Sequence, residues 1–219
     1  MANQALVNID GNAVPTLEII MMLTIIALIP TIVMMMSCFP RIIITLSFLR
    51  NALGIQQSPP NMVLAGLALF LTLFIMNPVM ADIKENAYEP YARGEIKQEE
   101  VLMRAAVPMK DFMLRQTEDK TLSMFMEMSG TEAVEHTGEL PMTVVISSFM
   151  TSEIKRAFIA GFLIYLPFLL IDIITSSTLM SMGMVMLPPT MISLPFKILL
   201  FVTVDGWNLL FSSIVKSFN

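Results

Sequence analysis

Met180-Ser-Met-Gly-Met-Val-Met-Leu-Pro-Pro189 places four methionines at alternate positions, Met180, Met182, Met184 and Met186, with Gly183 among them and Pro188 and Pro189 directly after. The stretch lies inside an uncharged run from Ile173 to Phe196, where a membrane helix is expected. A period of two, together with Gly and Pro, argues against a continuous helix. Irregular backbone at membrane depth is tolerated only where protein or a water-filled path satisfies its polar groups. Two readings stand: a pore-lining loop from Met180 to Pro189, or core packing by a side chain that readily fills irregular gaps.

Working outward, 55% of the 219 residues are hydrophobic and only 14% are charged, with a mean hydropathy of +0.72. Such a chain is too apolar for an ordinary soluble domain and belongs in a membrane or a membrane assembly. The charge is concentrated: 82–156 holds 9 basic and 14 acidic residues, so the net charge of −5 belongs to that segment. The acidic surplus excludes a nucleic-acid binder, which needs clustered Lys and Arg. Cys38 has no second cysteine to bridge and sits among apolar residues, so it reads as a small buried side chain. His136 lacks a His or Cys partner at ligand spacing and reads as an ordinary histidine rather than a metal ligand. The first 18 residues carry Asp10 and Glu18 but no basic residue, unlike the start of a secretory signal, so the first apolar run is expected to be retained.

Four hydrophobic regions flank the polar segment. Ile19–Pro40 is long enough to cross a bilayer core of about 30 Å, with Pro30 expected to kink or break it. Arg41–Pro60 carries only Arg41 and Arg50 as charges and reads as cytoplasmic by the positive-inside rule. Asn61–Ala81 is the second span. The polar segment 82–156 predicts helices over Glu95–Met113 and Met142–Ile154, a loop over Gly130–Pro141 containing Glu132, Glu135 and Glu139, and a position outside the cytoplasm. Ala157–Leu187, with Pro167 and Asp172 inside it, and Thr190–Val215, with Lys197 and Asp205, complete the set. The expected fold is therefore all-α, with membrane-associated hairpins (1–81 and 157–219) around a small helical insertion (82–156). A flat four-span arrangement places Lys155 and Arg156 on the outer side, against the charge rule.

Charges inside apolar regions usually face a bundle interior or a polar path. Asp172, flanked by Leu169–Ile171 and Ile173–Ile174, reads as a buried pairing residue. Lys197 and Asp205 fall about 80° apart on a helix and could share a face without touching. Arg41 and Arg50 fall on opposite sides of a straight helix and should make different contacts, topology determination being the stronger reading of both. Ala157 and Gly161, four apart, suit a close helix contact. Phosphate-loop, zinc-protease, nucleophile-elbow and Cys-x-x-Cys motifs are all missing, so an enzyme is not expected and no cofactor is implied. An aspartate dyad of Asp172 and Asp205, as in a membrane protease, is the one catalytic arrangement to weigh.

Leu46-Ser-Phe-Leu-Arg-Asn-Ala-Leu-Gly54, followed by Gln57-Ser-Pro-Pro-Asn61, closely resembles the FliP family of flagellar type III export-gate proteins. A second block agrees in order: Pro167-Phe-Leu-Leu-Ile-Asp172, Met182 to Pro189, Leu194-Pro-Phe-Lys197 and Val204-Asp-Gly-Trp207. The likeness covers nearly everything after about Thr16, and Met113-Leu-Arg-Gln-Thr117 and Arg41-Ile-Ile-Ile44 look flagellar rather than of the related virulence-secretion type.

The resemblance implies a protein-transport subunit without enzymatic activity. It implies a homopentamer that joins FliQ-like and FliR-like subunits, with FlhB-like and FlhA-like proteins attached, in the bacterial inner membrane at the flagellar basal body. It implies a gate raised partly out of the membrane plane and passing unfolded proteins. Met182, Met184 and Met186 would be its gasket and Gly183, Pro188 and Pro189 its loop backbone, while Asp172, Lys197, Asp205, Arg41 and Arg50 would be buried or assembly charges. Met180 is expected to belong to helix packing. The rival reading is a small-solute or ion transporter using Asp172, Lys197 and Asp205 as a relay.

Overall fold

A computed structural model describes residues 6–9, 12–55, 57–130, 138, 140–184 and 186–218, with side chains from Ile19 onward. Most of the loop expected over Gly130–Pro141, including His136 and the three glutamates, lies outside the described residues, as does Val185. A short antiparallel ribbon, β1 (Leu6–Ile9) and β2 (Asn12–Pro15), pairs Leu6 with Pro15. All further elements are helical: α1 Thr16–Met35, α2 Phe39–Leu53, α3 Asn61–Ile83, α4 Glu89–Ala92, α5 Gln98–Gln116, α6 Asp119–Ser129, α7 Met142–Ser181, α8 Pro189–Thr203 and α9 Gly206–Lys216.

The first apolar region breaks elsewhere than expected. α1 runs through Pro30, and the chain turns by 66° after Met35. Ser37 explains the position: its hydroxyl donates to the Met34 carbonyl at 2.7 Å and accepts from the Phe39 N–H at 3.3 Å. A side chain that serves the local backbone in this way replaces helical hydrogen bonds. Pro40 then falls in the first turn of α2, where its missing N–H is not needed. α2 ends at Gly54, whose φ of +79° closes the helix through its N–H to Asn51 O.

Two expected boundaries fall inside helices. α3 continues through a π-helical turn, Lys84–Tyr88, into α4, giving a run of 32 residues. α7 is a single helix of 40 residues that passes through 156/157 without interruption. At 1.5 Å per residue it is about 60 Å long, twice a bilayer core. The reason is local: Lys155 and Arg156 are good helix formers, so a change of polarity there carries no stop signal. The fourth apolar region splits in two, with α8 and α9 bent by 64°. Among the described residues, two helices are long and apolar enough to cross a membrane, or up to four if each bent pair counts as one span.

α2 is the centre of the packing. Cys38, Ile42 and Leu46 are fully buried among Leu64, Ala68 and Met76 of α3, Met109, Phe112 and Met113 of α5, and Val145 and Phe149 of α7. A second cluster joins Leu49, Ala52 and Leu53 to Phe168 of α7 and Phe201 of α8. The expected small-residue contact is present: Ala157 is buried, and a Cβ added at Gly161 would lie 2.4 Å from the Phe48 ring. Gly161 therefore sets how closely α2 approaches α7.

Candidate functional site: the methionine connection and its buried charges

The methionine stretch is the α7–α8 connection. α7 ends in a double hydrogen-bonded cap, Gly183 N–H to Met180 O at 3.0 Å and Met184 N–H to Leu179 O at 3.0 Å, with Gly183 at φ +75°. This geometry requires a left-handed residue, which glycine adopts without a Cβ clash. Pro188 and Pro189 start α8: Pro189 supplies a fixed φ at the first helical position and no N–H that must be satisfied. Met182, Met184 and Met186 are 62%, 42% and 96% exposed, so core packing within the chain does not account for them. Met180 lies inside α7, where its side chain is exposed, and its neighbour Leu179 is the buried residue of that turn.

Beneath the connection lies a charge cluster. Asp172 on α7 accepts from Lys197 Nζ at 2.6 Å through Oδ2 and from Ser193 Oγ at 2.6 Å through Oδ1. Lys197 also donates to Ala52 O, 3.1 Å away on α2. Ser193 and Lys197 are four apart and so share one face of α8. Asp172 thus has partners within the chain, although its own side chain is only half-buried, and the cluster ties α7, α8 and the end of α2 together. An open cleft of about 540 Å³ beside the pair is lined by Asn51, Gly54, Tyr165, Asp172, Thr190 and Lys197 among others. Ser193 escaped sequence reading, although its spacing of four from Lys197 was visible.

Asp205 does not join this cluster. It is exposed at the break between α8 and α9 with φ +52°, and its Oδ2 accepts from Asn208 Nδ2 at 2.6 Å. Asp172 is held by Lys197 and Ser193 and Asp205 by Asn208, with no hydrogen bond between the two carboxyls, so no aspartate dyad forms among the described residues. Gly206 follows for a packing reason, since a Cβ there would lie 2.3 Å from the Phe201 ring.

Arg41 and Arg50 make different contacts, as their spacing requires. Arg50, in the last turn of α2, donates to Pro59 O at 3.4 Å and to Asn61 Oδ1, while its buried Nε has no partner among the described residues. Of the two roles expected for Arg41, topology marker and buried charge, the structure has the second: it is 5% exposed and pairs bidentately with Glu153, which is fully buried. Nε donates to Glu153 Oε2 at 2.9 Å and Nη2 to Glu153 Oε1. Nη2 also donates to Gln116 Oε1 at 3.2 Å, and Nη1 to Ser217 O and Oγ at 3.3 and 3.1 Å. The Phe218 ring stacks on the guanidinium, 3.8 Å from its carbon. A planar five-donor group with every N–H used is the best case for burying such a charge.

The pair also corrects the flat topology. The positive-inside rule places Arg41 on the cytoplasmic side and Glu153 falls in the segment expected across the membrane, yet hydrogen-bonded groups must lie at one level. Sequence reading missed Glu153; its signal was a lone carboxylate closing the otherwise uncharged run from Leu140 to Ser152. Glu118, between α5 and α6, accepts from Lys155 Nζ of α7 at 2.6 Å, and this hydrogen bond holds its carboxyl below the usual carboxylate range. Among the described residues no three His, Cys, Asp or Glu side chains gather to hold a metal.

The FliP family model matches residues 22–214. The chain is similar to the flagellar biosynthetic protein FliP of Bacillus subtilis, 47% identical over 207 residues that cover 94% of each chain. It is 45% identical over 211 residues to that of Aquifex aeolicus, covering 95% of this chain and 88% of the relative. With that of Pectobacterium carotovorum the identity is 45% over 203 residues, covering 93% and 79%.

Proposed function

The chain belongs to the FliP family, and from that premise we propose how this subunit of the flagellar export apparatus works: its α7–α8 connection is one sector of a gate for unfolded flagellar proteins. The observation that carries this reading is the exposure of Met182, Met184 and Met186 on a connection tied down by the Asp172–Lys197 pair. A thioether side chain with three rotatable bonds can seal a dewetted constriction and still repack around substrates of unlike sequence. Gly183, Pro188 and Pro189 hold the backbone out of helix so that the methionines project together. Copies of the chain, as a homopentamer with FliQ-like and FliR-like subunits, would complete the ring, with FlhB-like and FlhA-like proteins attached. The setting is the inner membrane at the basal body, with the insertion around α5 and α6 on the extracytoplasmic side. Asp172, Lys197, Asp205, Arg41 and Arg50 then serve the fold and the assembly, and the chain carries out no catalysis of its own.

An ion transporter with a relay through Asp172, Lys197 and Asp205 is not favoured, because Asp205 stands apart from the other two. A virulence-secretion role is not favoured either, the relatives being flagellar by name. The test is Met182→Ala, Met184→Ala and Met186→Ala together, in cells whose own copy is replaced. Assembled complexes should leak small ions or solutes across the inner membrane. Unchanged permeability with normal assembly would refute the gasket.

A further inference from the structure

The α8–α9 pair is fastened at both ends, and only one end belongs to the charge cluster below the methionines. At the far end, residues 217–218 form a strap. Phe218 is buried, stacks on the Arg41 guanidinium and packs against the Phe112 ring of α5 at 6.5 Å between centroids. Its carbonyl accepts from Gln116 Nε2 at 3.1 Å, and the carbonyl and hydroxyl of Ser217 accept from Arg41. Between strap and connection, α9 is largely solvent-facing: Ile214 and Gly206 are its buried residues. Along its inner side an apolar cleft of about 400 Å³ separates it from α2 and α7, with Leu163, Phe168, Leu209 and Leu210 in its walls. α9 meets the core through Leu210, Phe211 and Ile214, and a helix backed by a cleft over the rest of its inner side depends in part on its ends for its position.

We propose that Arg41 is a positioning residue that latches the Ser217–Phe218 strap, and through α9 and α8 helps to hold the methionine connection in its closed place. Arg41 is suited to this because one guanidinium contacts three parts of the molecule at once: Glu153 of α7, Gln116 of α5 and the strap. Release of the strap frees α9 to move into the cleft. The 64° break at Asp205 and Gly206 is the joint about which it swings. The inference rests on the gate reading for its consequence but not for the latch itself.

Phe218→Ala removes the ring while leaving the Arg41–Glu153 pair intact, and Phe218→Leu serves if that variant does not accumulate. In the purified, assembled complex, hydrogen exchange of α9 amides should quicken about thirtyfold, the scale of losing one desolvated cation–ring contact. Exchange in α3 should stay as it is. In cells, the same variant should raise small-solute permeability with all methionines in place, and Phe218→Tyr should restore the seal. Unchanged α9 exchange overturns the latch. Faster α9 exchange with an intact seal overturns its coupling to the gate, provided the triple methionine variant leaks. A triple methionine variant that does not leak counts against the gate and leaves the exchange result to decide the latch.

Discussion

Glu153 is the residue on which burial weighs most heavily, because it is a fully buried carboxylate paired with the Arg41 guanidinium. Glu153→Ala leaves Arg41 buried and unpaired, so the variant should lose about 3–5 kcal/mol of stability. Thermal unfolding in detergent would show it. Replacing both partners, Arg41→Met with Glu153→Leu, should be milder than the single change, since no charge then stays buried. Equal losses would mean that the pair's attraction, rather than the orphaned charge, dominates. Glu118 gives a contrasting case at the surface. Its lowered folded pKa means that its contribution is present above the unfolded carboxylate value and disappears as the pH falls through the folded one. Lys155→Met should move the Glu118 titration, followed by NMR, back up toward that unfolded value. Neither partnership was legible in the sequence. Arg41 and Glu153 are separated by 112 positions, and no local period connects them. Asp172 was legible, because a lone charge in an apolar helix must have a partner, though which partner required the fold.

Helix existence was mostly legible from apolar run length, whereas helix ends were not. Pro30 drew attention as a break, yet the turn is made by Ser37 and Pro40; a hydroxyl that captures backbone groups leaves no mark on a hydropathy profile. The same holds for the α8–α9 joint, where Asp205 takes a left-handed conformation in the middle of an apolar run. Gly161 shows what spacing can reveal: the Ala157–Gly161 pair was read as a contact and is one. Gly161→Ala should cost about 1–3 kcal/mol by overpacking against Phe48. Adding Phe48→Leu should return part of it, as a shift of the unfolding midpoint would show. Gly183→Ala has open space around the new Cβ, so its expected cost of about 1–2 kcal/mol comes from backbone conformation alone. It should appear as faster amide exchange confined to the end of α7, and exchange spread along the helix would contradict that origin.

At the scale of the molecule, the chain exposes far more apolar surface than a soluble monomer tolerates. α1 shows residues such as Ile20, Met22, Ile25 and Val33 on every side, and α7 adds Phe158, Phe162, Leu166 and Ile173. A helix apolar all round is one that lipid or other chains will cover. Composition alone revealed this, but the flat spanning scheme drawn from charge bias failed because Arg41 is internal. Exposure also separates the methionines. Peroxide treatment of the solubilised single chain should oxidise Met186 and Met182 before the buried Met76 and Met113, read by mass spectrometry. The assembled complex should protect the exposed pair, and equal rates in the two states would speak against a ring of methionines. The Arg41–Glu153 pair finally sets an order of events at the ribosome. Glu153 is made 112 residues after Arg41, which at about 5–20 residues per second is a delay of roughly 6 to 22 seconds. Throughout that interval Arg41 lacks the carboxylate that it pairs with in the folded chain. Ser217 and Phe218 follow 64 and 65 residues after Glu153, so the surroundings of Arg41 are completed from both sides only once α9 has been made.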